Sequence, residues 1–112
     1  MANGKDLRRI ALALSGTIAA PHFDRTAFKV VRTYVTLAAD EQSANFKFAH
    51  DEQELKCLVA PQIFAPVEGG WGRMGWTCAA LAGMSKADLQ AALEMAYAHG
   101  INSKKKPAKR VK

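Results

Sequence analysis

The spacing of apolar residues changes along this chain, and that change restricts the fold more than any single motif does. Leu7, Ile10, Ala11 and Leu14 follow the i, i+3, i+4, i+7 spacing of a helix with one apolar side, with Asn3 as its N-cap and Gly16 as its stop. The spacing then becomes that of strands. AFKVV (27–31) and YVTLA (34–38) read as a hairpin around Arg32 and Thr33, and ANFKF (44–48) alternates Phe46 and Phe48 against Asn45 and Lys47. A second helix is expected from an Asp51 N-cap with Glu54 three residues on; Leu55, Leu58 and Val59 form its buried side and Pro61 ends it. Extended pieces follow at QIFAP (62–66) and WTCAAL (76–81). A third helix runs from a Ser85 cap, with Asp88 at its third position, to Gly100, carrying the stripe Leu89, Ala92, Leu93, Ala96 and Tyr97. Helix, strands, helix, strands, helix is the order of an α+β domain, an antiparallel sheet with helices covering one face.

At 112 residues the chain is one domain. A chain of this size buries roughly 60–70% of its unfolded surface, enough for a core without a metal or a disulfide. The domain is expected over residues 1–101 and a disordered basic tail over 102–112, where apolar content ends. Of the 16 basic residues six lie in that tail (Lys104, Lys105, Lys106, Lys109, Arg110 and Lys112), which leaves ten basic against ten acidic groups in the body. The formal net charge of +6 therefore belongs to the tail, and any electrostatic partner has to be argued separately for tail and body. Cys57 and Cys78 are expected as free buried thiols. No secretory signal and no apolar run of about 20 residues stands in the sequence, so a cytoplasmic protein with no membrane partner is expected.

Residues 69–77, GGWGRMGWT, place both tryptophans of the chain among four glycines. The glycines predict a tight turn, with Trp76 starting a strand and packing in the core. Arg73, with Trp71, is what that turn presents to solvent. The opening amphipathic helix, the F-K-V hairpin, the F-K-F strand, the acidic helix start and P-V-E-G-G-W-G-R-M-G-W-T, followed by a closing helix, together resemble the MmcQ/YjbR family over about residues 5–99. The most specific element is similar to a family pattern G-W-G-x-x-G-W-T, and Lys29 and Lys47 stand where family members tend to carry lysine. The resemblance implies a fold similar to that of the bacterial frataxin CyaY and a role in DNA binding through a double-wing arrangement. The chain departs from the family at Asp24, often glycine there, and at Arg32–Thr33, often Gly-Lys.

Strand alternation sets Lys29, Tyr34, Thr36, Asn45 and Lys47 on the sheet face away from the helices, a set with lysines, one aromatic ring and no acid. Such a face can hold a phosphate backbone while Tyr34 stacks on a base. The expected nucleic-acid contacts are thus Lys29, Tyr34, Lys47, Trp71 and Arg73 on the body and Lys104, Lys105, Lys106, Lys109 and Arg110 on the tail. DNA is the expected partner; RNA or a protein docked on the sheet face or the Gly-Trp turn are the alternatives, and a monomer is expected. His22, His50 and His99 are scattered, the cysteines are single with no C-x-x-C, and the glycine stretch lacks the G-K-[ST] ending of a phosphate loop. No enzyme, metal or cofactor is therefore expected, and the frataxin-like fold brings no iron ridge, since the first helix offers only Asp6 among Lys5, Arg8 and Arg9.

Overall fold

The computed structural model describes residues 1–102, and the tail residues named above from Lys104 onward lie outside the described residues. The elements in chain order are α1 (Gly4–Ala13), β1 (Ile18–His22), β2 (Arg25–Lys29), β3 (Thr33–Leu37), β4 (Ser43–Lys47), α2 (His50–Val59), β5 (Phe64–Pro66), α3 (Gly70–Arg73), β6 (Trp76–Ala80) and α4 (Lys86–Asn102). The six strands form one antiparallel sheet in the order β1-β2-β3-β4-β6-β5. The expected α+β architecture is what the chain adopts.

Register fixes which residues look inward. One row across the sheet runs Ala19, Phe28, Val35, Phe46, Thr77, Pro66. Its four central members are fully buried, and with Leu37, Ala44, Phe48 and Ala79 they meet Leu7, Ile10 and Ala11 of α1 and Leu89, Ala92, Leu93 and Ala96 of α4. The Phe46 and Phe48 rings stack at 5.7 Å, and Phe64 closes on Phe48 edge-on at 6.4 Å. Both long-helix caps hold as expected. Asp6 N–H donates to Asn3 Oδ1 (2.9 Å) and Asn3 N–H to Asp6 Oδ2 (3.2 Å), while Asp88 N–H donates to Ser85 Oγ (3.0 Å).

Four local expectations are corrected. First, Tyr34 does not face outward. Phe28 pairs with Val35 but Lys29 pairs with Thr33, so Tyr34 is the extra residue of a β-bulge. A bulge re-aims the side chain it carries. Tyr34 is 0% exposed, edge-on to Tyr97 at 5.5 Å, with its hydroxyl 2.8 Å from Thr17 Oγ1 and donating to the Ala11 carbonyl at 3.4 Å. Burial pushes its phenol pKa up. Second, α2 begins before Asp51: Ala49 is its N-cap, and Glu52 accepts from Ala49 N–H at 2.8 Å. Third, the opposite side of α2 is buried. Gln53 faces inward with Lys56 and Cys57, and Leu55, Leu58 and Val59 are 60%, 79% and 71% exposed. Polar anchoring decides this: Lys56 Nζ lies 5.4 and 5.2 Å over the Phe48 and Phe64 rings, and His99 donates to Glu52 at 2.8 Å. Fourth, Gly100 does not end α4. The helix crosses the β2–β3 turn there, Arg32 N–H donates to the Gly100 carbonyl (3.3 Å), and a Cβ would stand 3.1 Å from the Arg32 carbonyl oxygen.

β1 has no counterpart in the sequence reading. Its run Ile18–His22 neither alternates nor lacks proline, and as an edge strand it tolerates Pro21. Cys57 and Cys78 are free as expected but half-buried rather than buried, and burial raises the Cys57 thiol pKa.

The reversed face of α2 sets a test. Leu58→Ser is expected to change unfolding free energy by less than about 0.5 kcal/mol. Leu93→Ala, from the α4 stripe, is expected to cost about 2–5 kcal/mol. Urea unfolding monitored by circular dichroism measures both. Tyr34→Phe is expected to cost about 1 kcal/mol through its lost hydroxyl bonds, a fall of roughly 4–8 °C in melting temperature.

Candidate nucleic-acid interface

The Gly-Trp stretch is built by contacts that only glycine permits. Gly69 (φ +77°) precedes the four-residue helical turn α3, whose Gly72 sits against the Val67 carbonyl, where a Cβ would stand at 1.9 Å. Gly75 (φ +101°) lies against the end of β4: a Cβ would stand 2.0 Å from the Phe48 carbonyl oxygen, and Phe48 N–H donates to the Gly75 carbonyl at 3.1 Å. Three successive carbonyls at the end of the turn are then capped from β4 and α2. Gln53 Nε2 donates to Gly72 (3.0 Å) and Trp76 (3.1 Å), His50 Nε2 donates to Arg73, and Lys47 Nζ donates to Met74 (2.7 Å). The turn is tight, as expected, and it is held rigidly beside the sheet.

This anchoring brings the two indoles together at one end of the outer sheet face. Thr77 and Ala79 face the core, so Trp76 and Cys78 face out; Trp76 is half-buried and Trp71, 59% exposed, meets it edge-on at 6.4 Å. The expectation that Trp76 packs in the core is corrected: its pairing with Lys47 sets it in the outward parity of β6, and W-T-C-A-A has small residues in both parities, so the sequence alone does not mark which is buried. Trp76 pairs with Lys47 across β4–β6, while Lys29 lies at the same end, beside Thr33 on one side and Ile18 on the other. Lys29 is exposed, and neither it nor Arg73 makes an ion pair among the described residues. Lys47 is half-buried and its ammonium is committed in part to the turn it braces.

The next row of the outer face, Ala20, Ala27, Thr36, Asn45, Cys78 and Ala65, has only small side chains and makes a shallow floor. Arg25, which the sequence reading passed over, lies across it: Nε donates to Thr36 Oγ1 (2.8 Å) and Nη2 to the Thr36 carbonyl (3.2 Å). None of the six strands contains an acidic residue; the carboxylates of the chain all stand on helices and in turns. Of the expected body contacts, then, Lys29, Lys47, Trp71 and Arg73 lie at one end of the sheet, and Tyr34 is removed to the interior. Among the described residues no group of three or more His, Cys, Asp or Glu is placed to hold a metal ion, and no helix is long and apolar enough to cross a membrane.

The glycines make a graded prediction. Gly75→Ala combines a positive φ with a backbone clash and is expected to destabilise by more than about 2 kcal/mol. Gly70→Ala, whose Cβ meets nothing nearer than 3.7 Å, is expected to be neutral or to stabilise by about 0.5–1 kcal/mol. Denaturant unfolding followed by tryptophan fluorescence distinguishes them.

No protein-family model matches the sequence, and no curated protein matches it. The fold is similar to the crystal structure of DR2400 from Deinococcus radiodurans, a DUF419 domain, with a TM-score of 0.78 over 94% of this chain and 81% of that one. At 22% identity that likeness is one of fold.

Proposed function

We propose that this is a non-enzymatic nucleic-acid-binding protein of the MmcQ/YjbR type, with DNA as its ligand. The observation that carries the reading is the outer face of a sheet whose strands contain no acidic residue, with Lys29, Lys47 and Arg73 at the end where Trp71 is exposed. Cations at that end contact phosphate oxygens and set orientation, and an exposed indole offers a stacking surface. The body is formally neutral, so this local separation of charge, and not net charge, provides the attraction of the folded part. Six further cations follow in the sequence after Asn102. Gly100 of α4 is bonded to Arg32 in the β2–β3 turn, so the chain leaves the domain at the same end as Lys29.

A protein-docking module is the second reading, and the exposed Leu55, Leu58 and Val59 on α2 favour it.

Fluorescence anisotropy with labelled DNA at several salt concentrations tests the first reading. A truncation ending at Asn102 is expected to keep weak binding, with a log–log salt slope shallower by up to about five. In that background Lys29→Ala and Arg73→Ala are each expected to weaken binding and lower the slope by about one. Binding that disappears with the tail, or that neither substitution changes, removes the folded body from the mechanism and leaves the α2 surface as the better lead.

A further inference from the structure

At the other end of the outer face, Phe23 and Asp24 form the two-residue loop between the paired His22 and Arg25. Phe23 has φ +59°, a left-handed backbone conformation that glycine normally takes, while Asp24 is not in the positive region. A phenylalanine there is conformationally strained. It gains little from packing in return, being 94% exposed with only the His22 ring against it at 4.8 Å. Strain kept at a solvent-facing aromatic residue points to what that residue presents.

Phe23 stands at the hairpin tip against the ring of His22, whose partner Arg25 faces outward, at the corner of the sheet diagonally opposite the Trp71–Trp76 pair. Four strand spacings separate β1 from β6, about 19 Å, and the length of β2 adds roughly 13 Å along the strands. Between the corners lie the floor of small side chains and the Arg25 and Lys29 cations. An aromatic platform at each end of a shallow basic face fits a ligand whose bases have free π-faces, and bases have free faces only when unpaired.

We propose that the nucleic acid this protein binds is single-stranded, running diagonally across the outer sheet face with one base stacked on Phe23 and another on Trp71. The proposal rests on the nucleic-acid reading above and names its ligand class. The test uses the full chain and a short labelled oligonucleotide, single-stranded or annealed to its complement, compared at each of several salt concentrations. The single strand is expected to bind at least about tenfold more tightly. Phe23→Gly places the preferred residue in the turn, so its melting temperature is expected to equal or exceed that of the parent protein. Its affinity for the single strand is expected to fall about tenfold, with an unchanged salt slope. Equal or tighter duplex binding, or a Phe23→Gly variant that binds the single strand as well as the parent, overturns this proposal and leaves nucleic-acid binding itself standing. Absence of binding to both forms overturns both readings.

Discussion

Gly75 and Phe48 approach so closely that no side chain fits between them, and they exchange a backbone hydrogen bond across the gap. The Gly-Trp end of the candidate surface depends on that contact. It fixes the end of the Gly-Trp turn against β4, which lets Lys47, His50 and Gln53 reach the carbonyls of residues 72–74. The capped turn then sets Trp71 on Trp76, and Trp76 on the open face beside Lys47. The flexibility that glycine has in an unfolded chain is used here for approach and not for motion. Gly72 and Gly75 are the positions where the backbone of one segment touches that of another.

Two faces of the sheet divide the chemistry of the chain. The inner face takes the aromatic and aliphatic side chains and the three long helices; the outer face takes small residues, lysines and an arginine. The carboxylates stay on helices and turns, where Asp6 and Asp88 cap α1 and α4 and Glu52 ties α2 to α4 through His99. A body with balanced charge is thereby polarised without a strongly basic composition. Gly100 completes the arrangement by letting α4 lie close on the β2–β3 turn, so that the last described residues end near Lys29.

Much of this was legible in residue spacing. The stripe of α4, the cap of α1, the strand ANFKF and the start of β6 at Trp76 follow from period and capping alone, because burial on one face demands that period. What was not legible depends on contacts between distant segments. Nothing local to residues 33–37 marks the bulge that turns Tyr34 inward; it arises from the pairing of β2 with β3. The α2 helix is legible in the sequence but its buried side is not, since hydrophobicity favours Leu55, Leu58 and Val59 while the fold buries Gln53 and the stem of Lys56. Phe23 gave no signal, because a turn residue is conspicuous only once its φ is known. The candidate site was therefore half visible: its lysines and Trp71 by parity and exposure, its geometry only through the glycine contacts.

Binding at the outer face of the sheet leaves a local footprint in solution. Amide and indole chemical shifts of the labelled full chain, followed during titration with a short DNA oligonucleotide, test it most directly. Shifts are expected to concentrate at Lys29, Lys47, Trp71, Arg73 and Trp76 and to spare Leu55, Leu58 and Val59. Shifts confined to residues after Asn102, or to the exposed side of α2, would contradict it.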